Sequence, residues 1–220
     1  MNKINELAVR KYNVQVKQMM ENAGRNAARW IADELKPKRA IILYGEGNNG
    51  GDALCCARHL SIYGVEIKII PAFEGDTENK ELKNHITILD RILVKPSTTE
   101  GLELGEGDVI VDGLLGYNIS RAPEGKYAEL INWANDQRDK GKIVSLDIPS
   151  GMNPDTGDKF NPYMRSHFTI TLALPKQGMK NFSTGKLFLS NVGIPNELYK
   201  KEFNLKVGNY FKEKDVVEVN

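Results

Sequence analysis

The sequence predicts an α/β fold, a three-layer α/β/α sandwich around a mostly parallel sheet. Two observations carry that prediction. Short apolar runs bounded by turn residues (40–44, 65–70, 108–112, 142–147, 168–174 and 186–189) alternate, through much of the chain, with segments whose apolar residues recur at helical spacing. In addition, the residues that packing explains least follow the ends of these runs, where an open parallel sheet binds ligands.

Residues from about 6 to 35 read as one or two helices, because Val16, Met19, Met20, Ala23, Ala27, Trp30 and Ile31 form an apolar stripe between Lys, Glu, Asn and Arg. Lys36-Pro37-Lys38 ends that segment. The run 40–44 reads as a buried strand, followed by Gly45-Glu46-Gly47-Asn48-Asn49-Gly50-Gly51-Asp52 as a turn, with a helix from Ala53. Strand, glycine-rich turn and helix aim backbone N–H groups and the positive end of a helix dipole at an anion. The four glycines read as positions of positive φ or close ligand approach, and Asp52 as the cap of the helix.

The turn lacks a Gly-Lys-Ser/Thr ending, which argues against a P-loop. Gly45, Gly47 and Gly50 match the dinucleotide pattern formally, yet Glu74 comes late for a ribose contact after the second strand. Paired asparagines supply amide oxygens and donors that a plain dinucleotide loop does not need. Gly64 stops the helix, and 65–70 is the second strand. The segment 78–93 reads as helical with Leu82, His85 or Ile86, Leu89 and Leu93 on one face, and 94–107 as polar, with a short strand at its start. After the strand 108–112 come a loop, 113–125, and a helix, 126–140, that turns Ala128, Leu130, Ile131 and Ala134 inward. Right-handed crossovers place helices on both faces, and the whole chain, 1–220, reads as one domain.

Composition narrows the partners. With 30 basic and 29 acidic residues the net charge is +1, which gives no reason to expect nucleic acid or an anionic membrane. No apolar stretch is long enough to span a bilayer. Cys55 and Cys56 are adjacent and cannot form an ordinary structural disulfide, so a cytoplasmic location is expected. Both read as packing residues, and His59 as a helix-surface or core-edge residue.

Four strand ends carry the candidate site: Asn48 to Asp52, Asp112 with the loop through Ser120 and Arg121, Asp147-Ile148-Pro149-Ser150-Gly151, and Pro175-Lys176-Gln177-Gly178. Singly each has a plain explanation: Asp112 and Asp147 as turn residues, Lys176 as one of many solvated lysines. Together they define a pocket rim. Asn49, Asp112 and Ser150 would bring hard oxygen donors to neighbouring strand ends, suited to an alkali or alkaline-earth cation and unsuited to zinc. Asp147, desolvated at the pocket floor, has the setting of a general acid/base with a raised pKa.

On these residues the sequence resembles the YjeF N-terminal domain family, the NAD(P)H-hydrate epimerases. Met20-Glu21-Asn22-Ala23-Gly24, Gly47 to Asp52 with Ala57-Arg58-His59-Leu60, Asp112-Gly113-Leu114-Leu115-Gly116, Ser120-Arg121, Asp147-Ile148-Pro149-Ser150-Gly151 and Gly193-Ile194-Pro195 carry the likeness over nearly the whole chain. The resemblance implies a Rossmann-like fold and interconversion of the R and S hydrates of NADH and NADPH (NADHX and NADPHX). The S form would pass to a separate dehydratase, which many relatives carry fused C-terminally and which this chain is expected to lack. It implies that Asn48, Asn49, Gly50, Gly51 and Asp52, with Gly116, Tyr117, Asn118, Ile119, Ser120, Arg121 and Ala122, contact the dinucleotide. It also implies potassium on Asn49, Asp112 and Ser150, and substrate contact near the reacting ring from Asp147, our candidate proton carrier. It leans toward a homodimer, with the exposed half of the 16–31 stripe as its face. Two departures stand out: Gly116-Tyr117-Asn118 replaces Gly-X-Gly, and no lysine follows the second strand before Lys80. The competing reading is a non-catalytic nucleotide-binding or scaffold module of the same fold.

Overall fold

A computed structural model describes residues 2–181 and 184–219. Helices α1 (Asn2–Tyr12) and α2 (Val16–Trp30) lead into β1 (Arg39–Tyr44), then α3 (Asn48–Ile62), β2 (Glu66–Pro71) and α4 (Lys80–Arg91). There follow β3 (Asp108–Gly113), α5 (Gly125–Asp136), β4 (Lys142–Leu146), β5 (Phe168–Leu172), β6 (Lys186–Ser190), α6 (Asn196–Phe203) and β7 (Val216–Glu218). The strands make a seven-stranded sheet in the order β2-β1-β3-β4-β5-β6-β7, parallel except for β7.

Strands β1 and β3 lie at the middle of the apolar layers, and every residue of β3 is buried. That explains their near-continuous apolar spelling. Their side chains alternate between two cores. Ile42, Tyr44, Val109 and Val111 face α2, α3 and α4, while Ile41, Leu43 and Ile110 face Leu130, Ile131 and Ala134 of α5. Because α4 precedes a parallel bridge from Pro96 to Ile69 at the outer edge of β2, it shares the α3 face. Where a short strand was expected at the start of 94–107, the chain makes only this isolated bridge. The return path brings Leu104 onto the α5 face before β3 begins.

Strand β1 pairs with β2 on one side and β3 on the other, with Leu43 beside Asp112 and Tyr44 beside Gly113. The segments leaving β1 and β3 therefore diverge to opposite sides, which opens a crevice at this switch point. Of the stripe on α2, Met19, Met20, Ala23, Ala27 and Ile31 are buried within the chain and Val16 and Trp30 half-buried. None is left exposed as a dimer face. Gly24 lets α2 approach α3 closely, since a Cβ there would lie 2.5 Å from the Cβ of Cys55.

Helix α5 ends at Asp136 rather than near 140 and α4 spans only Lys80–Arg91, and three boundaries that bear on the site also differ from the sequence reading. Helix α3 begins at Asn48 rather than Ala53, so Asp52 lies inside it and caps nothing. Strand β4 stops at Leu146 and β5 at Leu172, because Asp147 and Ala173 turn the chain at φ +66° and +63°. Helix α6 and strand β7 were not anticipated at all. Among the described residues no helix is long and apolar enough to cross a membrane.

His167, just before β5, ties two strands together: its Nδ1 accepts from Ile143 N at 3.0 Å and its own N donates to Ile143 O at 2.9 Å. Accepting that bond requires a neutral ring. Burial, then Arg138 and Lys142, hold its pKa down to about 4. A depressed pKa contributes stability that is full above the unfolded value, about 6.5, and is lost as pH falls through about 4. We expect roughly 1–2 kcal/mol to disappear across that window, after allowing for solvent screening of a half-buried ring. Chemical denaturation at several pH values checks it: His167→Asn, which keeps an acceptor, should flatten that part of the slope.

Candidate active site

The glycine-rich segment is helical from Asn48 on, after an extended Gly47, and none of Gly45, Gly47, Gly50 and Gly51 adopts positive φ. What they provide is proximity. A Cβ on Gly50 would stand 2.0 Å from the carbonyl oxygen of Gly45, and one on Gly51 would strike Met20. Helix α3 can therefore begin tight against the end of β1, with its N-terminal N–H groups at the crevice.

A cavity of about 330 Å³ opens there, fed by the ends of β1, β3, β4 and β5 and covered by α1 and α2. Of the residues expected to bind, Asn48, Asn49, Asp52, Gly116, Tyr117, Asn118, Ile119 and Asp147 line it. Gly50 and Gly51 are buried in packing instead, and Ser120, Arg121 and Ala122 lie outside the cavity wall. From α1, Asn5 donates through Nδ2 to the Tyr117 hydroxyl at 3.1 Å, tying the first helix to the β3–α5 loop.

Asp112 is fully buried beside this cavity. Its carboxylate accepts from the Ser150 hydroxyl at 2.6 Å, Ser145 Oγ at 2.7 Å, Ser150 N at 2.9 Å and Leu114 N at 3.2 Å. Burial raises its pKa, against the pull of those bonds. The peptide of Leu115 links the group to α3: its N donates to Ser150 Oγ at 2.9 Å, and its O accepts from Asn49 Nδ2 at 3.2 Å. Asn49 Oδ1 is buried without a partner among the described residues. Amide, carboxylate, hydroxyl and peptide oxygens thus meet with one acceptor left over, a donor set suited to a hard cation.

Asp147 sits where β4 ends, 4 % exposed, its N donating to Ile170 O at 2.9 Å. Its Oδ1 accepts from Lys176 Nζ. Lys176 is not a solvated surface lysine: its side chain is 3 % exposed. Its ammonium also donates to Thr171 Oγ1 at 3.0 Å and Leu172 O at 3.1 Å, which uses all three protons. Ala173 makes this possible, since the left-handed turn there folds Pro175-Lys176 back under the end of β5. The expected lone, desolvated carboxyl is therefore half of a buried ion pair. Its other oxygen, Oδ2, takes no hydrogen bond among the described residues and stands 3.4 Å from where a Cβ of Gly116 would be. Glycine at 116 keeps that approach open between Asn49 and Asp147.

Asp52 also faces the cavity, 8 % exposed. Burial first, then the charge of Asp147, push its carboxyl well above the usual carboxylate range, with Lys176 opposing. The burial of Lys176 and the unpaired carboxyl of Asp52 inside the cavity were the features the sequence did not disclose. The available signal for Lys176 was a lysine directly after a buried strand, among strand ends that otherwise carry acids.

Among the described residues one other cluster has metal-like spacing: Glu21, Cys55 and His59. Arg58 Nη2 already touches all three, at 2.5 Å, 3.6 Å and 3.2 Å, so a guanidinium serves as its cation. Burial pushes the Cys55 thiol up. His59 and both cysteines are core-edge and packing residues, as expected.

A sequence model of the family described as YjeF-related protein N-terminus matches residues 16–178. The chain is 36% identical over 203 residues to an NAD(P)H-hydrate epimerase of Dehalogenimonas lykanthroporepellens, covering 90% of this chain and 82% of that protein. It is 37% identical over 189 residues to one of Nitrosopumilus maritimus, covering 81% and 86%. It is 35% identical over 213 residues to the bifunctional NAD(P)H-hydrate repair enzyme Nnr of Thermofilum pendens, covering 91% of this chain and 40% of that longer protein. Yeast YNL200c has the same fold, with a TM-score of 0.84 at 22% identity over 99% of this chain and 96% of that one. A match that spans the start of α3, the Asp112 loop, Asp147 and Lys176 makes the chain a member of the YjeF-related protein N-terminus family.

Proposed function

We propose that the chain is an NAD(P)H-hydrate epimerase, an isomerase that interconverts the R and S hydrates of NADH and NADPH, with Asp147 as its acid/base. One observation carries the chemical part: a buried carboxylate has one oxygen fixed by Lys176 and the other, without a hydrogen bond among the described residues, beside a cavity at the sheet's switch point.

The substrate carries a hydroxyl on the carbon next to the ring nitrogen. Its configuration inverts if the nitrogen lone pair expels the hydroxyl, a proton reaches the departing oxygen, and water returns to the other face. Asp147 Oδ2 is placed to exchange that proton, and its charge favours the cationic ring formed between the two steps. The cavity, at the lower end of the range for small-molecule pockets, suits the ring and its ribose. The N-terminus of α3 suits the pyrophosphate. Family relatives named as bifunctional repair enzymes support a dehydratase as the partner activity that consumes the product. A cytoplasmic site of action fits this role.

Potassium fits the residues present. Asn49, with its orphaned Oδ1, Asp112 and Ser150 would hold it, and when bound it supplies positive charge beside the anion-binding end of α3. The test uses chromatographically separated NADHX epimers. We expect exchange well above the spontaneous rate in potassium salts, a clear drop in tetramethylammonium salts, and no potassium response in Asn49→Ala. No acceleration over the spontaneous rate overturns the epimerase reading. Equal rates in both salts overturn the potassium site.

A further inference from the structure

We propose that Asp52 is a second catalytic residue, exchanging a proton at the ring face opposite the one served by Asp147. This rests on the epimerase reading and goes beyond it. Three structural observations point to Asp52. It lies within α3 and caps nothing, so the usual reason for an aspartate near a helix start is absent. Its side chain makes no hydrogen bond or ion pair among the described residues, although it is more than nine-tenths buried. And it lines the same cavity as Asp147, reaching it from α3 where Asp147 reaches it from the end of β4. A buried carboxyl without a structural partner, facing a cavity, is a functional group by elimination.

Inversion at one carbon asks for two groups. In one direction a carboxylic acid gives its proton to the departing oxygen as the C6–O bond breaks, and the nitrogen lone pair becomes the C6=N1 π bond. Water then bonds to C6 from the other face and gives a proton to the opposing carboxylate, while the π pair returns to nitrogen. No atom is consumed. One proton has passed from one carboxyl to the other, and the reverse reaction, or solvent, carries it back. This scheme needs one acid and one base at rest. Lys176 neutralises Asp147 as the carboxylate. Among the described residues Asp52 has no cation of its own, and burial together with the nearby charge of Asp147 favours its protonated form. The other groups facing it are Lys176 from after β5, Tyr117 from the β3–α5 loop, and the thiols of Cys55 and Cys56 on its own helix. None of these others supplies it with an ion pair or hydrogen bond.

The experiment measures epimer exchange and its pH profile for the wild-type chain, Asp52→Asn, Asp52→Glu and Asp147→Asn. For Asp52→Asn we expect kcat to fall between about a hundredfold and ten-thousandfold, KM to stay within about threefold, and the alkaline limb of the profile to vanish. The melting temperature should be retained, since a neutral amide replaces a neutral acid of the same shape. Asp52→Glu should recover part of kcat. If Asp147→Asn is inactive while Asp52→Asn keeps wild-type kcat or its alkaline limb, this inference is overturned and the epimerase reading stands. If Asp52→Asn cannot fold, the role is structural and the inference is likewise overturned. An inactive wild-type chain overturns the reading beneath it.

Discussion

Asp147→Asn should slow epimer exchange by about a thousandfold, within the range that general acid–base groups contribute, while NADHX still binds. The substitution suits the site. Position 147 sits at φ +66°, a conformation that asparagine tolerates better than most residues. The amide oxygen can still accept from Lys176, so the side chain keeps its orientation. What changes is the ability of the second side-chain atom to take up and return a proton, together with the negative charge facing the cationic ring. A drop in kcat with an unchanged KM would place the lost interaction in the transition state. A variant that binds NADHX and retains the wild-type rate would remove Asp147 from the chemistry. Because the substitution also leaves the Lys176 ammonium without its counter-charge, some stability is expected to go with it, and rates should be compared well below the variant's melting temperature.

How far the sequence disclosed this site depended on which interactions are local. Strands β1, β3 and β4 could be read because each is covered on both faces, which forces continuous apolar runs. The convergence of strand ends followed from the parallel sheet, and Asn49, Asp112 and Ser150 do come together through the Leu115 peptide. The start of α3 was misread because glycines weaken an isolated helix by about 1 kcal/mol each, so Gly50-Gly51 looked like a turn. Packing against Gly45 and Met20 overrides that preference, and neither contact is visible in a local window. Ser120 and Arg121 match a motif yet stand exposed, since spelling does not say which part of a loop faces inward. Strand β7 spans three residues and earns its place only by pairing with β6. Lys176 was one of 30 basic residues. Its burial depends on a left-handed turn at Ala173, an alanine with no sequence signature for that conformation. No lysine follows β2 before Lys80, and the cation that meets Asp147 arrives from after β5.

Lys176→Met should be the most destabilising single change at the site, costing about 3–5 kcal/mol, because it strands the Asp147 charge in a buried position. The methionine fills much of the lysine volume, so cavity formation contributes little and the loss reports the unpaired charge. The companion experiment is the double variant Lys176→Met with Asp147→Asn. If the pair is a charge balance, removing both partners should recover much of the stability that either single change loses, giving a coupling energy of at least about 1 kcal/mol in a double-mutant cycle. Activity should not follow stability. The double variant should remain as slow as Asp147→Asn alone, since it has regained its fold and not its proton carrier. Denaturant melts and exchange rates on the same four proteins separate the two roles. Additive losses in stability would mean that Lys176 and Asp147 act independently, and that Oδ2 is not held toward the cavity by the partner assigned to it here.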